Sequence, residues 1–181
     1  MLWVMDRIDG AWNLLEEMRA AFGVDDEISF IGGDVKSRAG CESIVDGTVD
    51  RYGRIDVLHN NVGRSRGDKP TYDLDTEMWD ELMDLNLKAT FMTCKHALKV
   101  MREQKGGAII NVSSTSSLNV SPTVTYKTAK GAINKLTEHM AVENAGRGVR
   151  GRRGPGGRDA ARARALPALV RALRPRGARR P

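Results

Sequence analysis

Residues 107–130 read GAIINVSSTSSLNVSPTVTYKTAK. Ala108 to Val112 is a short, β-branched apolar run, the pattern of a buried strand. Gly106-Gly107 in front of it breaks a helical pattern. Ser113 to Thr125 is a Ser/Thr-rich loop. From Tyr126 a helical pattern resumes and runs to about Asn144, ending at Gly146. A strand that feeds a loop and then a helix is most of a βαβ unit, and the same alternation repeats on the N-terminal side.

Leu2 to Met5 is an apolar run that ends at Asp6 and reads as a first strand. Asp9 can cap the helix that follows, striped by Trp12, Leu15, Met18 and Phe22 and stopped by Gly23. Ile28 to Ile31 reads as a strand closed by Gly32-Gly33-Asp34-Val35. Cys41, Val45, Val49 and Tyr52 stripe the next helix, and Gly53 ends it. Ile55 to His59 is a further strand, leading into Asn60-Asn61-Val62-Gly63. Residues 64–74 are a polar loop. Thr76 to about Gln104 is a long helical stretch in two segments, with Trp79, Leu82, Met83, Leu87, Phe91, Leu98 and Met101 on its apolar face. Short β-branched strands separated by helical connections predict an α/β fold: a doubly wound parallel sheet with helices on both faces.

Composition narrows the class. The 181 residues allow one domain, and 40% hydrophobic with 29% charged residues is ordinary for a globular chain. No run of 18 apolar residues exists, which excludes a transmembrane helix and a membrane partner. Met1 to Gly10 carries Asp6 and Asp9 and lacks the basic and apolar regions of a secretory signal, so a cytoplasmic location is expected. Cys41 and Cys94 are too few for a disulfide framework, and with His59, His96 and His139 they offer no metal-ligand spacing. They read as helix packing residues.

The net charge of +6 is unevenly spread. Residues 147–181 hold twelve arginines and one acid, Asp159, whereas residues 1–146 hold 17 Lys and Arg against 22 Asp and Glu. Four of the six prolines also lie in the tail. The shift predicts a folded unit over 1–146 and a disordered Arg/Ala/Gly/Pro-rich basic tail over 147–181. A binder of nucleic acid or of an acidic surface through the tail is one alternative function. The tail has no aromatic platform and no nucleic-acid-binding motif, so no specific nucleic acid is expected as partner.

Tyr126 and Lys130 stand at i and i+4 on one helical face. An ammonium one turn away favours the phenolate and draws the phenol toward general acid/base work at neutral pH. Just upstream, Ser113 and Ser114 lie at the C-terminal end of a strand, the edge where open α/β sheets bind ligands. A hydroxyl there can hold a carbonyl oxygen.

With these residues in this order the chain resembles the short-chain dehydrogenase/reductase family. Asn60-Asn61-Val62-Gly63 is similar to the family's Asn-Asn-Ala-Gly turn, Asp84-Leu85-Asn86-Leu87 to its helix asparagine segment, and Tyr126 to Lys130 to its Tyr-x-x-x-Lys signature. The resemblance covers about residues 1–149 and implies a Rossmann-like fold and hydride transfer between NAD(P) and an alcohol or ketone. It implies Asn86, Ser114, Tyr126 and Lys130 as catalytic, with Tyr126 as acid/base and Lys130 also on the nicotinamide ribose. Asp6, Asp34, Val35, Asn60, Val62, Gly63, Tyr126 and Lys130 are implied to bind cofactor, Asp34 at the adenine. Asp6 at a strand end favours NAD, while Arg7 beside it argues for NADP. Homo-oligomers are the family's habit.

Three departures stand out. Ser114 lies one residue closer to Tyr126 than is usual; Ser113 has the usual separation but reads as a strand-end hydrogen bond. The 181 residues contain no glycine-rich pyrophosphate turn, and Leu2–Met5 matches the family's second strand. The first βα unit is therefore expected to be lacking, which leaves a gap between Leu2–Met5 and Ile55–His59 unless the two halves re-pair. After Arg150 the family's Val-Asn-x-Val-x-Pro-Gly is absent, so the C-terminal strands are expected to be lacking too. The expectation is a truncated, weakly active or inactive oxidoreductase, or a non-catalytic partner of an intact relative.

Overall fold

Four parallel strands carry the core of the structure, a computed structural model that describes residues 2–5, 17, 19–20, 29, 31–119 and 122–154. In spatial order they are β1 (Leu2–Met5), β2 (Val57–Asn61), β3 (Gly107–Val112) and β4 (Val149–Gly154). The helices are α1 (Arg38–Tyr52), α2 (Thr76–Met83), α3 (Ala89–Glu103) and α4 (Val124–Asn144). A π-helical turn at Asp84–Lys88 joins α2 to α3, so the long helical stretch is indeed in two segments. Local signals set the ends of α1. Ser37 Oγ accepts the Gly40 N–H at 2.9 Å, and Gly53, left-handed at φ 71°, returns its N–H to Val49 O at 2.7 Å.

Successive side chains of a strand point to opposite faces. Leu58 and Asn60 of β2, and Ile109 and Asn111 of β3, are buried, whereas the residues between them are half-buried. These four share one face, because Leu58 stands opposite Ile109 and Asn60 opposite Asn111. Asn60 bonds to residues of α3 and Asn111 to a residue of α4, so both helices cover that face. The helix expected from Asp9 to Phe22 is described only at Glu17, Arg19 and Ala20, all helical. The rest of it, with Asp6, lies outside the described residues, as do Ile28 and Phe30 of the expected Ile28–Ile31 strand. Ser29 and Ile31 are in no regular element.

Two expectations need correction. No gap separates Leu2–Met5 from the strand before Gly63. β1 pairs directly with β2, with Leu2 opposite Leu58 and Met5 opposite Asn61. Two strand edges facing each other across a void would leave buried N–H and C=O groups unpaired, and closing the sheet satisfies them. A strand also follows residue 146. Gly148 turns the chain at φ 74°, where a Cβ would strike the Lys105 carbonyl, and β4 then pairs with β3 through Gly154. Ladder bonds are made by the backbone, so an arginine-rich sequence can supply them, and Val149 anchors the strand in the core at 3% exposure. The folded unit thus extends beyond 146; residues 155–181 lie outside the described residues.

A buried polar network ties this face together. Asn60 Nδ2 donates to Asn111 Oδ1 at 2.9 Å and to Cys94 Sγ at 3.2 Å. Thr93 Oγ1 donates to Asn60 Oδ1 at 2.9 Å, and Asn111 Nδ2 donates to Thr137 Oγ1 at 2.9 Å. All five residues are buried. Each deleted partner leaves a desolvated group behind, so Asn111→Ala is expected to cost about 2–4 kcal/mol in urea unfolding. A loss below about 0.5 kcal/mol, the range of ordinary surface substitutions, would contradict this role.

Candidate active site

Lys130 is a charged residue with 2% exposure, on the face of α4 turned to the C-terminal ends of β2 and β3. Its Nζ donates to Val62 O at 2.7 Å and to Val112 O at 3.0 Å. An ammonium has three donors, and two are spent on these strand-end carbonyls. Burial pushes its pKa down from 10.5 to about 8. The folded state therefore disfavours the charged lysine. That penalty is complete below about pH 8 and is relieved as pH rises from about 8 toward 10.5, where the unfolded chain holds more protons. Nζ also lies 5.7 Å from the centroid of the Tyr126 ring, within cation–π range.

Gly63 and Asn86 complete the convergence. A Cβ on Gly63 would sit 3.0 Å from Asn86 Oδ1 and 3.1 Å from both Cε and Nζ of Lys130. Asn86 is fully buried in the π-helical turn. Its Oδ1 accepts from Arg64 N at 2.9 Å, and its Nδ2 donates to Arg64 O at 2.9 Å and Leu82 O at 2.8 Å. One amide thus clamps the turn after β2 to the helix. Such π-helical turns inside helices are frequent at functional sites.

The two serines separate cleanly. Ser113 is buried and donates to the Lys130 carbonyl at 3.1 Å, a strand-end hydrogen bond as expected. Ser114, half-buried, caps the short helical turn Thr115–Ser117, its Oγ accepting from Ser116 N at 3.2 Å. Accepting that bond leaves the hydroxyl proton available to a ligand.

The cofactor candidates divide. Val62, Gly63, Tyr126 and Lys130 are brought together at the strand ends. Asp34 is exposed before α1, its Oδ1 held by Lys36 N at 2.9 Å, while Val35 is buried beside it. The Asn60 side chain does not face the site: both ends of its amide are committed to the core network. Asp6 lies outside the described residues. Burial pushes the thiols of Cys41 and Cys94 up to about 11 and about 12, which fits packing rather than chemistry. Asp68, read only as part of a polar loop, binds the start of α4, a contact across 57 residues that no local pattern announces.

Residues 2–153 match the family model of the short chain dehydrogenases. The chain belongs to this family. A 1,6-dihydroxycyclohexa-2,4-diene-1-carboxylate dehydrogenase of Pseudomonas putida is 34% identical over 160 residues, which are 88% of this chain and 58% of that protein. The solved structure of levodione reductase matches with a TM-score of 0.77 and 28% identity, over 83% of this chain and 59% of its own. ElxO with NADP bound gives a TM-score of 0.72 at 29% identity, over 83% of this chain and 60% of its own. The chain spans about three fifths of the length of each of these relatives. The family match runs to residue 153, in agreement with β4 as part of the fold.

The absence of a Cβ at residue 63 is the sharpest steric demand of the site. Gly63→Ala needs Lys130 or Asn86 to give by a few tenths of an ångström, and because both are held by hydrogen bonds it is expected to cost about 1–3 kcal/mol of stability in urea unfolding. An alanine variant as stable as the parent would show that these groups yield without cost.

Proposed function

We propose that the site at the strand ends exchanges a proton with an alcohol or ketone in a nicotinamide-dependent oxidoreductase. The buried Lys130 ammonium beside the Tyr126 ring is the observation that carries this reading. Tyr126 is the general acid/base: its phenol gives a proton to a substrate carbonyl oxygen or takes one from the carbinol hydroxyl. Lys130 stabilises the negative charge that grows on the phenol oxygen as the proton leaves. Ser114 donates its hydroxyl proton to the same substrate oxygen and orients it. Asn86 keeps the Gly63 turn and the π-helical turn at a fixed separation.

The donor set fits a nicotinamide dinucleotide. Lys130 has a third N–H beyond the two bonded to carbonyls, matched to a ribose hydroxyl, and Gly63 presents no side chain beside it. Asp34 and Val35 are assigned to the adenine end by their resemblance to the family segment, and Asp6, with its carboxylate, favours NAD over NADP. When bound, the dinucleotide supplies the hydride acceptor or donor.

Calorimetry and turnover on the 181-residue chain test the reading. These residues contain no glycine-rich turn, whose charge-assisted hydrogen bonds to a pyrophosphate are worth roughly 1.5–3 kcal/mol each. Two or three fewer such bonds place the NAD dissociation constant in the millimolar range, on the order of a thousandfold weaker. Turnover of the 181-residue chain is expected to be weak or below measurement, and with NAD well above that constant Tyr126→Phe is expected to abolish any that exists. Full activity in Tyr126→Phe would overturn the mechanism, and a micromolar constant for NAD would overturn the account of the cofactor site.

A further inference from the structure

Helix α4 carries both Tyr126 and Lys130, so the anchorage of its first turn decides where the phenol stands. The first amides of a helix have no acceptor within it. In α4, three of them are taken up by the loop after Gly63. Val124 N donates to Lys69 O at 3.3 Å, Thr125 N to Asp68 Oδ1 at 3.1 Å and Tyr126 N to Asp68 Oδ2 at 2.8 Å. A carboxylate in this position also meets the positive end of the helix dipole. Asp68 is itself fixed: its N–H donates to Ser65 O at 3.1 Å, and its Oδ1 also accepts from Lys69 N at 3.0 Å.

The other attachment lies one helical turn further on, where Lys130 Nζ holds Val62 O. The span from Tyr126 to Lys130 is therefore fastened at both ends to a single segment, residues 62–69. We propose that Asp68 is a positioning residue: its two carboxylate oxygens fix the first turn of α4 against the Gly63 turn and so set the Tyr126 phenol beside Lys130. The catalytic meaning of that placement rests on the oxidoreductase reading above; the clamp itself does not.

Both oxygens are used, which makes the substitutions graded. Asp68→Ala removes both acceptors, Asp68→Asn keeps one, and Asp68→Glu keeps the pair on a longer stem. Amide hydrogen exchange at Thr125 and Tyr126 is expected to accelerate about tenfold in Asp68→Ala and less in Asp68→Asn, with the β2 and β3 amides unchanged. Nuclear Overhauser contacts between the Tyr126 ring and the Lys130 side chain should weaken in Asp68→Ala and return in Asp68→Glu. Unaltered exchange and unaltered ring contacts in folded Asp68→Ala or Asp68→Asn would overturn the proposal. With NAD well above its dissociation constant, Asp68→Ala should lower kcat about tenfold to a hundredfold. KM should stay within about twofold, and Asp68→Glu should recover part of kcat. Faster exchange with unchanged kcat would reduce Asp68 to a structural cap. A parent chain with weak or no turnover is compatible with the oxidoreductase reading of a partial chain, and exchange and ring contacts decide the clamp without it.

Discussion

One buried ammonium holds the strand ends and the helix of the site together. Lys130 Nζ takes a carbonyl from the end of β3 and another from the turn after β2, so neighbouring strands and α4 meet at a single charged atom. Taking a charge out of water is costly, and a group so placed is tolerated only where hydrogen bonds replace its hydration. Here two carbonyl acceptors do so in part, and the remaining donor and the residual charge are what a site can use. The lowered pKa expresses the same cost.

The constraint propagates outward. Lys130 leaves tight room for a side chain at residue 63. The turn at Gly63 must then be held at its far side, which Asn86 does through the backbone of Arg64. Further from the site, the network of Asn60, Asn111, Thr93, Cys94 and Thr137 fixes α3 and α4 against β2 and β3. Polar groups in a core specify a geometry because any other arrangement leaves one of them unpaired. The sheet behind the site is thus tied to α3 and α4 at the depth where Tyr126 and Lys130 stand.

Much of this was legible in the residues. The i,i+4 spacing of Tyr126 and Lys130, the apolar run before Ser113 and the break at Gly106-Gly107 are local patterns, and helices and strands answer to local patterns. The direct pairing of β1 with β2 was legible only as an alternative to a gap, because which strand lies beside which depends on unpaired backbone groups distant in sequence. β4 was missed for a related reason. Composition describes side chains, and Arg150, Arg152 and Arg153 hide a ladder that the backbone makes regardless. The partner of the Asn60 side-chain amide was not legible, because it is Asn111, 51 residues away in the chain. The choice of Ser114 over Ser113 rested on strand alignment, and the two hydroxyls do occupy different surroundings.

The most direct measurement is a titration of the Lys130 side chain by nitrogen-detected NMR on the chain labelled at lysine. The account predicts a midpoint near 8, set by burial, distinctly below the ordinary lysine value of 10.5. A Lys130 signal that titrates near 10.5 would mean a solvated ammonium, not one buried at the strand ends, and would contradict the arrangement on which the site depends.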